Sequence, residues 1–167
     1  MKFSYSFSIP LATPLPPVEK LYSFDYNEFT LSLTEDWRLI PTVEERTFNW
    51  YSEKEKAGIT VSTDFYEVPE NKWAAFAEVN LNSRHKAFEG IADEAVTVIN
   101  RSIAPYSGGG GLELSYVAHD AKTTYLYLGY VTSRKIFNFT LTYGTDRMAA
   151  IALYNKTMQE RLRVKIP

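Results

Sequence analysis

The sequence predicts a single soluble α+β domain, a central antiparallel β-sheet flanked by helices and closed by an amphipathic C-terminal helix. Three observations carry that expectation. Apolar and polar residues alternate with period two in several short runs, the mark of half-buried strands. The spacing lengthens to three and four residues after Pro69 and again after Thr145, as helix faces require. With 45% hydrophobic and 23% charged residues the composition is globular, which argues against wholesale disorder. A chain this long should bury roughly 70% of its unfolded surface, so no disulfide or metal staple is needed.

Phe3, Tyr5, Phe7 and Ile9 alternate with polar residues and read as a strand. PLATPLPP at 10–17 then supplies four prolines, which cannot donate to a ladder and stiffen the connection. Residues 1–17 are therefore expected to form an N-terminal strand and proline-rich arm, and 18–167 a single domain. The arm is a candidate for edge docking or for a homodimer contact.

In the body, Phe29, Leu31 and Leu33 alternate against Glu28, Thr30 and Ser32, and the turn-prone Thr34–Glu35–Asp36 ends that strand before Trp37. Phe48 and Trp50 mark a second strand. After the polar turn SEKEKAG come Ile59, Val61, Thr63 and Phe65, so the pair reads as an antiparallel hairpin. Pro69 suits the first turn of a helix whose face carries Trp73, Phe76, Ala77, Leu81, Phe88 and Ile91, with Gly90 as its stop. The polar NSRHK between Leu81 and Phe88 is expected to break this helix in two.

Val96, Val98 and Ile99 suggest a strand to Ile103, SGGGG at 107–111 a flexible loop, and Leu112, Leu114 and Tyr116 the next strand. His119–Asp120–Ala121–Lys122 turns the chain into Thr123–Thr132, apolar or aromatic on both faces. Leu126, Leu128 and Tyr130 point one way; Tyr125, Tyr127 and Val131 point the other. Ile136–Gly144 alternates cleanly, with Phe137, Phe139, Leu141 and Tyr143 opposed to Asn138, Thr140 and Thr142. Thr145 is the expected N-cap of the last helix, with Asp146 in its positive first turn. Met148, Ile151, Ala152, Met158 and Leu162 form its stripe.

Charge and residue usage narrow the function. Eighteen basic against twenty acidic residues leave a net charge of −2, without the basic footprint of a nucleic-acid binder. The short basic tail Arg161, Arg163, Lys165 is expected to offset the negative end of a helix dipole. With no cysteine there is no disulfide, Cys–zinc site or thiol nucleophile. The first ten residues lack the continuous apolar run of a signal peptide, and no stretch approaches the ~20 apolar residues of a membrane span. A cytoplasmic protein without membrane contact is the expectation.

Chemical motifs are sparse. His85 and His119 form no i, i+4 or H-x-H pair and read as surface or turn residues. The SGGGG loop lacks a following G-K-[ST] and precedes a strand, so it reads as solvated loop. Glu44, Glu45, Glu67 and Glu70 lie in polar turns. Neither G-x-S-x-G nor H-E-x-x-H occurs, and the Asn138-Phe-Thr140 triplet is a glycosylation match by spacing alone. No enzyme activity, metal or cofactor is expected. The informative pattern is the face opposite the apolar set, where Thr30, Ser32, Asn49, Thr60, Ser62, Asn138, Thr140 and Thr142 fall, joined by Tyr125 and Tyr127 with Tyr51 nearby. A hydroxyl-rich sheet face with aromatic anchors suits a protein partner. Tyr51, Tyr125, Tyr127, Asn138, Thr140, Thr142, Thr60 and Ser62 are the candidate binding residues.

Several segments together resemble the PsbP/DcrB-like superfamily. EFTLSLTEDW resembles its F-x-L-x-x-P-x-x-W opening, with Thr34 and Glu35 where the usual Pro falls. The hairpin TFNWYSEKEKAGITVSTDF, the helix from ENKWAAF, the closing hairpin YLYLGYVTSRKIFNFTLTYG and the tail RLRVKIP are similar to its later elements. The resemblance spans about residues 22–166. It implies an α/β/α sandwich around an antiparallel sheet and, as a rule, no enzyme activity. Members include photosystem II extrinsic subunits, a yeast nuclear Ran-binding factor and bacterial chaperones for type VI secretion effectors. The resulting expectation is a non-catalytic protein-binding domain, an immunity protein or effector chaperone of a bacterial toxin-secretion system, with a toxin or effector as partner. The alternatives are a PsbP-like structural subunit and a small-ligand carrier with its ligand near Trp37, Trp50 and Trp73.

Overall fold

A computed structural model describes residues 17–166; the expected strand at 3–9 and the arm contact for a homodimer lie outside them. Ten strands and two main helices follow in the order β1 (Tyr22–Asp25), β2 (Phe29–Leu33), β3 (Trp37–Ile40), β4 (Thr47–Ser52), β5 (Ala57–Phe65), α1 (Trp73–Ile91), β6 (Thr97–Pro105), β7 (Leu112–His119), β8 (Thr124–Val131), β9 (Lys135–Tyr143), α2 (Arg147–Lys156) and β10 (Leu162–Val164). They form a seven-stranded antiparallel sheet, β3-β4-β5-β9-β8-β7-β6, and a three-stranded one, β1-β2-β10. Every hairpin read from alternation is present.

The large sheet has two unlike faces. Its core face carries Trp50, Ile59, Val61, Leu126, Leu128, Phe137, Phe139 and Leu141, all buried. The three-stranded sheet lies on one part of that face, where Phe24 meets the Trp50 ring edge-on at 5.2 Å between centroids and Phe29 meets Phe137 at 5.8 Å. Helix α2 packs on β8 and β9, bringing Tyr154 to Phe139. This layer is mixed sheet and helix, so the expected α/β/α sandwich holds on the opposite face only, where α1 is the covering element.

Helix α1 runs unbroken through NSRHK, correcting the expected break. The reason is what lies beneath it. Ala77, Leu81 and Phe88 pack on Leu114, Tyr116, Ala118, Tyr125 and Tyr127, and this aromatic layer ends in hydroxyls. Polar helix residues find partners there: His85 Nδ1 meets the Tyr116 hydroxyl at 2.5 Å, and the Arg84 guanidinium lies over the Tyr127 ring. Burying Leu81 and Phe88 contributes about 1.5–3 kcal/mol each. Gly129 belongs to the same arrangement, since a Cβ there would fall 2.0 Å from the Tyr127 hydroxyl that crosses over it.

Three further expectations change. The N-cap of α2 is Asp146, not Thr145, its carboxylate accepting the Ala149 N–H at 3.0 Å. The helix consequently buries Ala150 and half-buries Leu153 and Tyr154, while Met148 is 77% exposed. Past Lys156 a π-helical turn, Thr157–Arg161, delivers Leu162 into strand β10 and not into a helical stripe. The basic tail makes ion pairs: Arg161 bonds Glu19 at 2.9 Å, and Lys165 pairs with Asp25, which fastens the start of the described chain to its end.

Candidate functional site

Strand register places all eight candidate binding residues on one face of the large sheet, in three rows. Tyr125, Thr142, Gly58 and Tyr51 are consecutive cross-strand partners from β8 to β4; so are Tyr127, Thr140, Thr60 and Asn49; Gly129, Asn138 and Ser62 make the third. Period-two reading therefore found the face. It missed how α1 divides it.

Helix α1 packs against β7 and β8 and buries that part of the face. Tyr125 and Tyr127 are 2% and 1% exposed, and Asn138 and Thr140 are buried with them, so these four are structural and not direct anchors. The chain needs them there because wide aromatic residues fill the gap between a single helix and a pleated sheet. Over β3, β4 and β5, and the outer edge of β9, nothing covers the face among the described residues. Tyr51 is 39% exposed and Thr60, Ser62 and Thr142 are half-buried. Thr30 and Ser32 lie in the three-stranded sheet, away from this face, where Thr30 bonds Asp25 and Ser32 bonds Ser23.

A polar seam marks the border between the two halves. Asn138 Oδ1 accepts from the Tyr127 hydroxyl at 2.8 Å and from Asn80 of α1 at 3.4 Å, and its Nδ2 donates to Ser62 Oγ at 3.2 Å. Thr60 Oγ1 donates to Asn49 Oδ1 at 2.8 Å. Beyond the seam the floor dips at Gly58, where a Cβ would lie 2.8 Å from Thr142 Oγ1. The resulting notch, about 220 Å³, is lined by Tyr51, Lys56, Lys122 and Thr142 among others. On the helix side, Tyr66, Phe76 and Val79 line an apolar groove of about 430 Å³, with Tyr66 and Val79 exposed. Sequence reading passed over Tyr66 and Val79, because neither belongs to the buried stripe of an element.

Tyr125 is anchored at the sheet end, where its hydroxyl donates to Asp120 Oδ2 at 2.9 Å. Burial first, then that carboxylate, push its pKa up to about 12. Burial also opposes ionisation of Asp120. The Lys122 N–H, the Tyr125 hydroxyl and the Thr123 N–H outweigh it and hold the carboxyl below its ordinary 3.8. A depressed folded-state pKa means that this stabilisation is complete above the unfolded value and is lost as pH falls through the folded one. Asp120→Ala is therefore expected to cost about 1–3 kcal/mol near neutral pH. That gap should narrow on acidification below about pH 4. Urea midpoints of both chains measured across that range check it; a gap that widens in acid would contradict it.

The histidines have internal partners. His85 lies between Tyr116 and Glu89, whose carboxylate is 3.3 Å from Nε2. His119 sits between the Asp120 carbonyl and Arg147. Both are half-buried, His85 on α1 and His119 at the end of β7 beside the turn. Glu44, Glu45, Glu67 and Glu70 are exposed as expected, and among the described residues no group of three His, Asp or Glu could hold a metal ion. The three tryptophans do not converge. Trp37 and Trp50 lie on the core face, while Trp73 belongs to α1 and donates its Nε1–H to the Val68 carbonyl at 2.9 Å. No described helix is long and apolar enough to cross a membrane.

No family model matches the sequence, and no curated protein matches it. Solved structures do. Cyanobacterial PsbP (CyanoP) from Synechocystis sp. PCC 6803 aligns over 92% of this chain and 99% of its own, at 14% identity and a TM-score of 0.62. A Pseudomonas aeruginosa protein of unknown function aligns over 88% of this chain and 98% of its own, at 13% identity and a TM-score of 0.45. A Bacteroides thetaiotaomicron protein aligns over 83% of this chain and 45% of its own, at 11% identity and a TM-score of 0.43. The likeness to CyanoP shows a PsbP-like fold.

Proposed function

We propose that this PsbP-like domain is a non-catalytic protein-binding module that seats part of a folded partner on the open half of its large sheet, beside α1. The observation that carries the reading is the half-covered face: one helix covers β7 and β8 and buries Asn138 and Thr140 of β9, while β5, β4, β3 and the Thr142 end of β9 have no covering element among the described residues. Strands about 4.8 Å apart make the bare strip β9-β5-β4-β3 roughly 15 Å wide, enough for one helix of about 10 Å. Its floor offers the Thr60, Ser62 and Thr142 hydroxyls, and Tyr51 and Ile40 stand exposed as anchors of the kind that dominate interfaces. The bonded histidines and exposed carboxylates support a binding role over a catalytic one.

A cytoplasmic immunity protein or effector chaperone of a toxin-secretion system is the narrower form of this reading. It rests on the family resemblance, and the product of the neighbouring gene is the partner to try first. Thr60→Arg with Thr142→Arg should lower affinity for that partner by at least about tenfold, or 1.4 kcal/mol, with little change in unfolding midpoint. Calorimetric titration of the purified pair reads it. An unchanged Kd for the double variant would rule out the open face as the docking surface.

A further inference from the structure

Charged residues on the open half of the large sheet are sorted by sign. Arg38 and Lys56 are exposed and Arg84 is half-buried, and none of the three has a carboxylate partner among the described residues. Strand register sets Arg38 beside Tyr51, in the row that continues through Gly58 to Thr142. Lys56 lines the notch at Gly58 together with Lys122, whose charge is offset in part by Asp93, and no acidic residue lines it. Tyr51 adds a hydroxyl to the same wall.

Helix geometry keeps the acids of α1 away. Glu78 and Asn82 bond Arg101 of β6, and Glu89 reaches His85, on the flank toward β6 and β7. Asn80 and Arg84 occupy the other flank, where they meet Asn138 and the Tyr127 ring. Glu53 and Glu55 share the β4–β5 turn with Lys56 but do not line the notch. The acid that alternation puts on the open face of β5, Asp64, lies roughly 20 Å from Gly58 along the strand. A chain of net charge −2 thus carries a basic end on this face. Ammonium, guanidinium and hydroxyl donors without a competing carboxylate recognise an anion, and a notch of about 220 Å³ has room for one carboxylate group. A nucleic-acid backbone calls for a longer basic stripe than this.

We propose, resting on the docking reading above, that the partner presents the acidic face of a helix. One of its Asp or Glu carboxylates seats in the notch between Lys56 and Lys122, and neighbouring acids face Arg38 and Arg84.

Two alanine-based peptides of about 20 residues, above the ~12–15 at which isolated helices become marginal, test it on the full chain. One carries glutamate at every fourth position; in the other, alternate glutamates are lysine. The acidic peptide should bind at least about tenfold tighter and shift the backbone resonances of Lys56, Gly58 and Thr142. Its affinity should fall as salt rises, because these charges are exposed. Arg38→Glu with Lys56→Glu should abolish the preference. Lys20→Glu with Arg163→Glu, the same change of net charge placed at the three-stranded sheet, should keep it. Circular dichroism shows that both double variants are folded. No binding of the acidic peptide, equal loss in both double variants, shifts confined to residues outside the notch, or tighter binding of an oligothymidylate would overturn the proposal. The docking reading is judged apart from it: a partner weakened by Thr60→Arg with Thr142→Arg leaves that reading standing even where the acidic peptide fails.

Discussion

Lys135→Met is expected to lower the unfolding free energy by about 3–5 kcal/mol, more than most single substitutions at a partly exposed position. Lys135 Nζ lies 3.0 Å from Glu28 Oε1, and the Glu28 side chain is almost fully buried. The pair joins the residue just before β2 of the three-stranded sheet to β9 of the large sheet, and the Glu28 carbonyl accepts the Lys165 N–H just past β10 at 2.7 Å. Among the described residues Glu28 Oε2 has no partner, so Lys135 is the ionic compensation for a buried carboxylate. Removing the lysine leaves that charge alone. Coulomb attraction regained by pairing seldom exceeds the cost of desolvating both ions, so Glu28→Gln combined with Lys135→Met should recover most of the loss. Urea midpoints at constant m-value measure both. A single variant within about 0.5 kcal/mol of the parent would show that Glu28 is solvated in solution.

Asn138→Leu should cost about 2–4 kcal/mol, since it strands buried polar groups while keeping the number and branching of side-chain heavy atoms. Its amide takes the Tyr127 hydroxyl and Asn80 on one side and reaches Ser62 on the other, and Leu satisfies none of them. Thr142→Ala, two rows away and half-exposed, should stay within about 0.5 kcal/mol. The contrast separates two roles that alternation makes look alike. Asn138 holds the sheet to α1; Thr142 belongs to the open strip. Equal effects of the two substitutions would contradict the division of the face along the seam.

Much of this architecture was legible in the sequence. Phe137, Phe139 and Leu141 against Asn138, Thr140 and Thr142 gave the orientation of β9, and pairing propagated that orientation across the sheet because each strand's side chains must match its neighbour's face. The short strands were not legible. YSFD and WRLI are four residues long, too brief for alternation to stand out, and Leu162 reads as the end of a helical stripe because nothing in the sequence announces the π-helical turn before it. The coverage of the face was hidden for a different reason. Where α1 sits is decided by tertiary packing of Leu81 and Phe88 on Tyr116 and Tyr125, and the tyrosines that served as candidate anchors are the ones the helix needs. A tyrosine on a sheet face reads the same whether it meets a partner protein or a helix of its own chain.

The central claim, that one half of this face is sealed by α1 and the other half is the docking surface, has a direct test because the chain contains no cysteine. A single thiol introduced at Ala118 or at Thr60 reports its own surroundings through its rate of maleimide labelling. Ala118→Cys, under α1, should label only as fast as the protein unfolds. Thr60→Cys should label readily in the free protein and become protected in the complex with the partner. Rapid labelling at 118, or an unchanged rate at 60 with the partner bound, would contradict the account.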